Sequence, residues 1–228
     1  MDWAVIGQVL SVWFLPVIIA ITFHEAAHAW VAELCGDDTA RMLGRVTFNP
    51  IKHIDPFGTL LLPGVLVLVG APFVIGFAKP VPVNFARLNN PKRDMIWVAI
   101  AGPAINVILA VLSALALHLV FPPTTDVHAW VYENLQNAIL ANVILAVFNM
   151  LPIPPLDGGR VLTGLLPRPL AWRFAQIERY GFLILIALLL LSFFASDLGL
   201  PFSPLEAMLW PPVEGLLHVI AAVTGLAQ

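Results

Sequence analysis

Hydrophobic positions along the chain form long continuous runs. These runs fill residues 3–23, 95–121, 138–151 and 181–195. A helix that crosses a bilayer needs about 20 mostly apolar residues, and the third run reaches that length only when residues 131–137 are included. The pattern therefore predicts four membrane-spanning helices. The first of them lacks the basic start and small-residue cleavage pattern of a signal peptide, so we expect it to be retained.

Two further segments are harder to assign from their apolar pattern. Residues 57–77 contain prolines, glycines and several valines, which favour a re-entrant segment or small β-hairpin that enters the membrane and returns. A short kinked transmembrane helix is the alternative. Residues 205–227 contain Pro211 and Pro212, and they could span the membrane, break at these prolines or lie at the interface.

Composition places the chain in a bilayer. Of its 228 residues, 60% are hydrophobic and 11% are charged, whereas about a quarter of residues are charged in soluble proteins. The net charge of −3 and the lack of a Lys/Arg block argue against nucleic acid as a partner. The single Cys35 excludes an internal disulfide.

The eleven basic residues form three clusters, at residues 41–52, 79–93 and 160–179. Basic segments next to membrane helices stay on the cytoplasmic side. The clusters therefore predict a multi-pass protein of the cell membrane with these three segments in the cytoplasm and the N-terminus outside. Because both flanks of residues 57–77 are basic, this topology also favours a segment that returns to the side it left.

The strongest chemical pattern is His24-Glu25-Ala26-Ala27-His28, at the end of the first apolar run. Positions i and i+4 share one face of a helix, so both imidazoles can reach one metal ion. The adjacent glutamate can then approach the attacking water. A polar helix end with hydrogen-bonded histidines is the alternative interpretation.

A catalytic zinc usually has three protein ligands, so one more is required. The acidic candidates on the same predicted side are Glu33, Asp37, Asp38, Asp55, Asp94, Asp157 and Glu178. Asp157 is the best of them, because the prolines before it end a helix and the two glycines after it permit a tight turn. Alone, Asp-Gly-Gly would be an ordinary turn.

These motifs resemble a known family. Residues 24–28 fit H-E-x-x-H, and residues 149–158 fit N-x-x-P-x-P-x-L-D-G. Residues 76–84 and 93–106 are similar to the family's connecting segment and middle core helix. Over residues 20–165 the chain resembles the compact site-2 proteases, which are intramembrane zinc metalloproteases of peptidase family M50.

The resemblance implies roles for six residues. His24, His28 and Asp157 would bind one Zn2+ per chain, and Glu25 would be the general base. Asn106 and Asn149 match polar positions near the cleft, where Asn149 could donate a hydrogen bond to the substrate backbone or to the oxyanion. Hydrogen bonding between helices is the other role open to these two amides.

The expected fold is an all-α polytopic membrane protein with a three-helix catalytic core, C-terminal helices and the small β-hairpin or re-entrant segment. Residues 1–228 would form a single membrane-embedded peptidase domain, with its core at about 3–165 and its C-terminal helices at about 178–227. The loop over residues 121–132 is too short to hold a PDZ domain. Substrate selection would therefore depend on the helices themselves or on another protein.

The expected function is hydrolysis of peptide bonds within or near the transmembrane segments of membrane proteins, as in regulated intramembrane proteolysis. The partners would be a transmembrane substrate and the lipid bilayer, and a homo-oligomer or an adaptor protein is compatible with the sequence. Two other classes stay open: a catalytically silent membrane scaffold and a metal or proton transporter. Glu25→Gln would separate them, because only a protease needs this carboxylate for turnover.

Overall fold

The fold is all-helical in the part of the chain that a computed structural model describes, which comprises residues 3–61, 64–65, 68, 76, 78–195, 197–200 and 202–226. Its helices are α1 (Trp3–Leu34), α2 (Thr39–Met42), α3 (Pro91–Val120), α4 (Asp126–Asn149), α5 (Asp157–Leu165), α6 (Arg168–Ala175), α7 (Gly181–Phe193) and α8 (Pro204–Thr224).

The first helix continues beyond the apolar run that predicts it. The run ends at residue 23, but α1 extends to Leu34. His24 and His28 therefore lie inside a helix and not at its end. Ala-rich residues 26–32 are strong helix formers, and the last turn is followed by Gly36 with φ +104°, a backbone conformation that glycine adopts without strain.

Helices α1, α3 and α4 pack against one another, and α8 contacts both α3 and α4. Small or branched side chains form the shared centre of α3, α4 and α8: Ala110, Ala114, Val143, Val213 and Ile220. Alanines in a membrane helix let neighbouring backbones approach closely. This packing joins α3 to α1, α4 and α8.

Among the described residues, five segments are long and apolar enough to cross a membrane: Ala4–Leu34, Pro91–Val120, Asp126–Asn149, Arg168–Phe193 and Pro204–Thr224. Residues 205–227 do not break at their prolines, since α8 continues through Pro211 and Pro212. Prolines are tolerated in membrane helices where neighbouring groups satisfy the freed carbonyls. The fourth segment begins before its apolar run because α6 and a 3-10 turn (Gln176–Tyr180) precede α7.

The predicted β-hairpin over residues 57–77 is not confirmed. Pro56–Leu61 forms a π-helical turn, and no strand occurs among the described residues. The Asp55 carboxylate accepts hydrogen bonds from the Phe57 and Gly58 N–H groups, which favours a helical start over an extended one. Residues 62–63, 66–67, 69–75 and 77 of this segment lie outside the described residues.

Residues 78–84, which we call the strap, form neither helix nor strand and lie beside α1. The Lys79 N–H donates to the carbonyl of His53 at 2.9 Å, and the guanidinium of buried Arg45 donates to the carbonyl of Lys79 at 2.6 Å. At the other end, the Asn84 N–H donates to the Asp37 carboxylate at 2.6 Å. The strap is thus fixed at both ends.

Candidate metal centre

His24 and His28 lie one turn apart on α1, on the face that packs toward α3. Their side chains are buried, with 4% and 7% of their surface exposed. The two ring planes meet nearly at right angles, with centroids 4.6 Å apart. Helical spacing thus brings both imidazoles to the same place.

Asp157 reaches this place from a different part of the chain. Residues 151–156 leave α4 and form a tight irregular connection, in which the Leu156 N–H donates to the carbonyl of Ile153 at 2.9 Å. Asp157 then begins α5, so it lies in the first turn of a helix and not in the tight turn expected from Asp-Gly-Gly. Gly158 is required there, because a Cβ would lie 2.2 Å from the carbonyl oxygen of Met150.

The three side chains converge on one point. The Nε2 atoms of His24 and His28 are 3.0 Å apart, and Oδ2 of Asp157 is 3.1 Å from the first and 3.2 Å from the second. All three side chains are nearly buried from solvent.

The other nitrogen of each imidazole has a partner that can only accept. His28 Nδ1 lies 2.7 Å from the carbonyl oxygen of Val98, and His24 Nδ1 lies 2.6 Å from Oδ1 of Asn106. Both Nδ1 atoms therefore carry the proton and donate. In a neutral imidazole this leaves the Nε2 lone pair free, so each histidine presents an acceptor to the point of convergence.

This arrangement fits a zinc ion. With neutral imidazoles and an ionised Asp157, three acceptors, one of them negative, meet in a buried space, and a cation between them would satisfy all three. Ligand atoms about 2.0–2.1 Å from a tetrahedral zinc lie about 3.3 Å from one another, close to the separations of 3.0–3.2 Å here. The carboxylate and the two imidazoles form a group that could hold a metal ion.

Gly102 of α3 provides the room for this group. A Cβ at this position would lie 2.4 Å from Nε2 of His28 and 2.6 Å from Nε2 of His24. Real Cβ atoms do not approach other atoms so closely, so any larger residue would displace the imidazoles. The space in front of both Nε2 atoms thus depends on the absence of a side chain on α3.

Glu25 lies next to His24 on α1 but contacts a different element. Its Oε2 accepts a hydrogen bond from the Val81 N–H of the strap at 2.7 Å. Val81 itself is buried against Ala29 of α1 and Ala40 of α2. The strap therefore orients the Glu25 carboxylate from outside the helix.

Asn106 and Asn149, the two asparagines predicted to lie near the cleft, have different surroundings. Asn106 is fully buried behind His24, where its Oδ1 accepts the imidazole proton. Asn149 is half-buried in the last turn of α4, and its Nδ2 donates to the carbonyl of Leu145 at 2.9 Å. Asn106 thus supports a candidate ligand, and the proposed contact of Asn149 with substrate stays a prediction.

Three further buried residues received no functional role from the sequence. Arg45 holds the strap, and Asn142 of α4 accepts a hydrogen bond from Asn106 at 2.8 Å. His53, in a loop with Lys52 and Asp55, is expected from the sequence to be solvated or interfacial. It is instead buried, and its Nε2 lies 2.9 Å from the carbonyl oxygen of Thr47. Of the three, only Asn142 could have been found from the sequence, because it is one of several polar amides on an apolar helix and such residues often have a function.

Comparisons with known proteins point to the same chemistry. The model of peptidase family M50 matches residues 12–125 and 124–192. A Bacillus subtilis protein named "Putative zinc metalloprotease YwhC" is 38% identical over 217 residues, which cover 92% of this chain and 90% of that protein. A Mycolicibacterium smegmatis protein named "Putative zinc metalloprotease Rip2" is 31% identical over 173 residues, or 76% of this chain and 64% of that protein.

A more distant relative has a similar name. "Zinc metalloprotease MJ0392" of Methanocaldococcus jannaschii is 24% identical over 159 residues, which cover 69% of this chain and 35% of that protein. No solved structure matches the chain. The family model covers most of the sequence, and the described part of the chain contains five helices suited to a bilayer. This membrane protein therefore belongs to peptidase family M50.

Proposed function

We propose that the protein is an intramembrane zinc endopeptidase of the site-2 type, which hydrolyses peptide bonds within or near the transmembrane segments of other membrane proteins. The observation that carries the proposal is the convergence of His24 Nε2, His28 Nε2 and Asp157 Oδ2 within 3.2 Å of one another. Its position beside α1 and α3, two helices suited to a bilayer, supports a substrate that is itself in the membrane.

His24, His28 and Asp157 would hold one Zn2+. When bound, zinc polarises the peptide carbonyl and lowers the pKa of water toward about 7. The protein's own contribution is to present two imidazoles with fixed tautomers and a carboxylate in a space that Gly102 keeps open. Such partners behind the ligands fix their orientation before metal binds.

Glu25 would act as general base. Its carboxylate takes a proton from the attacking water and returns it to the nitrogen of the leaving amine. Oε2 accepts from Val81, so Oε1 is the atom that we assign to this proton. Asn149 would donate its amide to the substrate backbone or to the oxyanion.

The substrate must unwind before cleavage. A peptide inside an intact helix has its carbonyl engaged in the i to i+4 hydrogen-bond ladder. A transmembrane substrate would therefore reach the site as a locally extended segment. The basic clusters favour a site that opens toward the cytoplasm, where water can enter, and a cell-membrane location.

Two other functions lead to different results in one experiment. A metal or proton transporter would use His24, His28 and Asp157 without needing Glu25, and a scaffold would need none of the chemistry. We would purify the full chain in detergent and measure its zinc content and its cleavage of a model transmembrane substrate. The native protein would be compared with Glu25→Gln and Asp157→Ala.

We expect one zinc per native chain, loss of cleavage with zinc retained in Glu25→Gln, and weaker zinc binding in Asp157→Ala. Cleavage by Glu25→Gln at the native rate would exclude the role of this residue. A native protein that binds no zinc would overturn the proposed function.

A further inference from the structure

We infer that Asn142 is a positioning residue for His24, and that it acts through Asn106. The inference rests on the proposed function, because it concerns how one proposed zinc ligand is kept ready for the metal. It comes from a chain of hydrogen bonds that runs from α4 through α3 to α1, in which each side chain sets the orientation of the next.

The amide of Asn106 has only one orientation that satisfies its neighbours. Its Nδ2 donates to the backbone carbonyl of Ala20 at 3.1 Å and to Oδ1 of Asn142 at 2.8 Å. The carbonyl of Ala20 can only accept, so the NH2 group must face it. Oδ1 of Asn106 then faces His24 Nδ1 at 2.6 Å and accepts its proton.

Asn142 is oriented in the same way by its own helix. Its Nδ2 donates to the carbonyl of Ala138, one turn earlier on α4, at 2.8 Å. This leaves its Oδ1 directed at Asn106. Asn106 and Asn142 are 0% and 2% exposed, so solvent cannot replace a missing partner at either amide.

A reversed Asn106 would disable His24 as a ligand. Its NH2 group would then point at His24 Nδ1, which would have to become the acceptor, and the imidazole proton would move to Nε2. A protonated Nε2 has no lone pair to offer a metal. In that orientation Oδ1 of Asn106 would also face two other acceptors, on Ala20 and Asn142.

Asn142 is therefore one of the two acceptors that favour the productive orientation of Asn106. With Asn142 replaced by an apolar residue, Ala20 alone would distinguish the two orientations of Asn106. The fraction of chains with His24 in the metal-binding tautomer would fall. Loss of an outer-shell partner of a metal ligand typically lowers metal affinity about 10- to 100-fold.

The test is the zinc affinity of the purified full-length apo-protein, measured by competition with a chelator of known affinity. Asn142→Leu removes the acceptor, and Asn142→Asp keeps an oxygen in the same position. Asn137→Leu is the matched control, because Asn137 also lies on α4 and donates to α1, at the carbonyl of Val12, without contact with Asn106.

We expect Asn142→Leu to bind zinc about 10- to 100-fold more weakly, with Asn142→Asp and Asn137→Leu close to the native protein. Thermal unfolding of each apo-protein shows whether a variant is folded. In a background of Asn106→Ala, Asn142→Leu should have no further effect on zinc affinity, because its influence passes through Asn106.

The possible failures are distinguishable. A native protein without zinc would overturn the proposed function. Native zinc binding with unchanged affinity in Asn142→Leu would overturn only this inference. Equal weakening in Asn137→Leu, or an additional loss in the Asn106→Ala background, would assign the effect to helix packing and would also overturn it.

Discussion

The Val81 N–H donates a hydrogen bond to Oε2 of Glu25 at 2.7 Å. The two residues belong to different elements, because Glu25 lies on α1 and Val81 lies in the middle of the strap. The side chain of Val81 is buried against α1, so its backbone is held close to the helix. The strap thereby determines where the proposed general base points.

Removal of this one donor should reduce turnover without loss of metal. Val81→Pro deletes the N–H between two residues that are already proline, Pro80 and Pro82. A residue before a proline is already biased toward the extended backbone that proline adopts. We expect the kcat for a model substrate to fall by up to about 100-fold, since a misplaced catalytic group can cost this much. Zinc content should equal that of the native protein.

Val83→Pro is the matched control for this prediction. It lies two residues further along the strap, and its N–H has no hydrogen-bond partner among the residues that the structure describes. We expect near-native turnover. Similar losses in the two variants would mean that strap conformation, and not the bond to Glu25, determines the rate.

Gly102→Ala should prevent zinc binding without unfolding the protein. Its Cβ would lie 2.4 Å from Nε2 of His28. Overpacking costs about 1–3 kcal/mol, partly offset by about 1 kcal/mol from the better helix propensity of alanine. Zinc content of the purified protein should fall well below one per chain.

Gly215→Ala on α8 controls for the change in helix propensity. A Cβ there has nothing within 4 Å, so zinc content and activity should match the native protein. Full zinc occupancy in Gly102→Ala would show that the imidazoles can move aside, contrary to this prediction.

Arg45→Ala should loosen the strap. The Arg45 guanidinium is buried and donates to the Lys79 carbonyl at 2.6 Å, and hydrogen bonds to charged groups contribute about 1.5–3 kcal/mol. We expect faster hydrogen–deuterium exchange at the Lys79 and Val81 amides, together with reduced turnover. Exchange in α4 should not change.

Arg41→Ala is the comparison for Arg45. The Arg41 side chain is largely exposed and forms an ion pair with Glu33, and such surface pairs contribute little. Strap exchange should therefore stay native in Arg41→Ala. If Arg45→Ala also left strap exchange unchanged, the strap would be held by its other contacts.

Removal of zinc should lower the stability of the protein. Three buried acceptors would then face one another without a cation. A ligand at about 100 times its Kd stabilises the folded state by about 2.7 kcal/mol, so a chelator should lower the melting temperature of the native protein and restored zinc should raise it. In Asp157→Ala the chelator should lower the melting temperature much less. An equal decrease in both proteins would indicate that zinc binds elsewhere.

The main chemical features were accessible from the sequence because they depend on local geometry. His24 and His28 are four residues apart, so a helix alone is enough to place them on one face. The prolines before Asp157 end the preceding helix, and this local signal indicates that Asp157 follows a connecting segment. The structure places these three side chains together. The long apolar runs likewise predict helices that the structure contains, but the observed helices begin and end at other residues than the runs do.

Features that depend on contacts between distant segments were not accessible. Nothing local distinguishes an Asn106 that meets substrate from one that faces His24, since the difference is the packing of α3 against α1. The same holds for Arg45, whose partner is the Lys79 carbonyl. The start of α5 at Asp157 was missed because its two glycines disfavour a helix, although close packing against the Met150 carbonyl requires one of them.

His24 and Asp157 are 133 positions apart in the chain, and this has a consequence for biosynthesis. As the ribosome extends the chain, α1 enters the bilayer with three ionisable side chains long before Val98, Asn106 or Asp157 has been made. Placing such groups in a membrane without partners costs about 2.5–3.5 kcal/mol for a charged residue. The nascent protein therefore holds an incomplete and energetically unfavourable helix until α5 follows, and a chain released early has no centre with which to act on its neighbours.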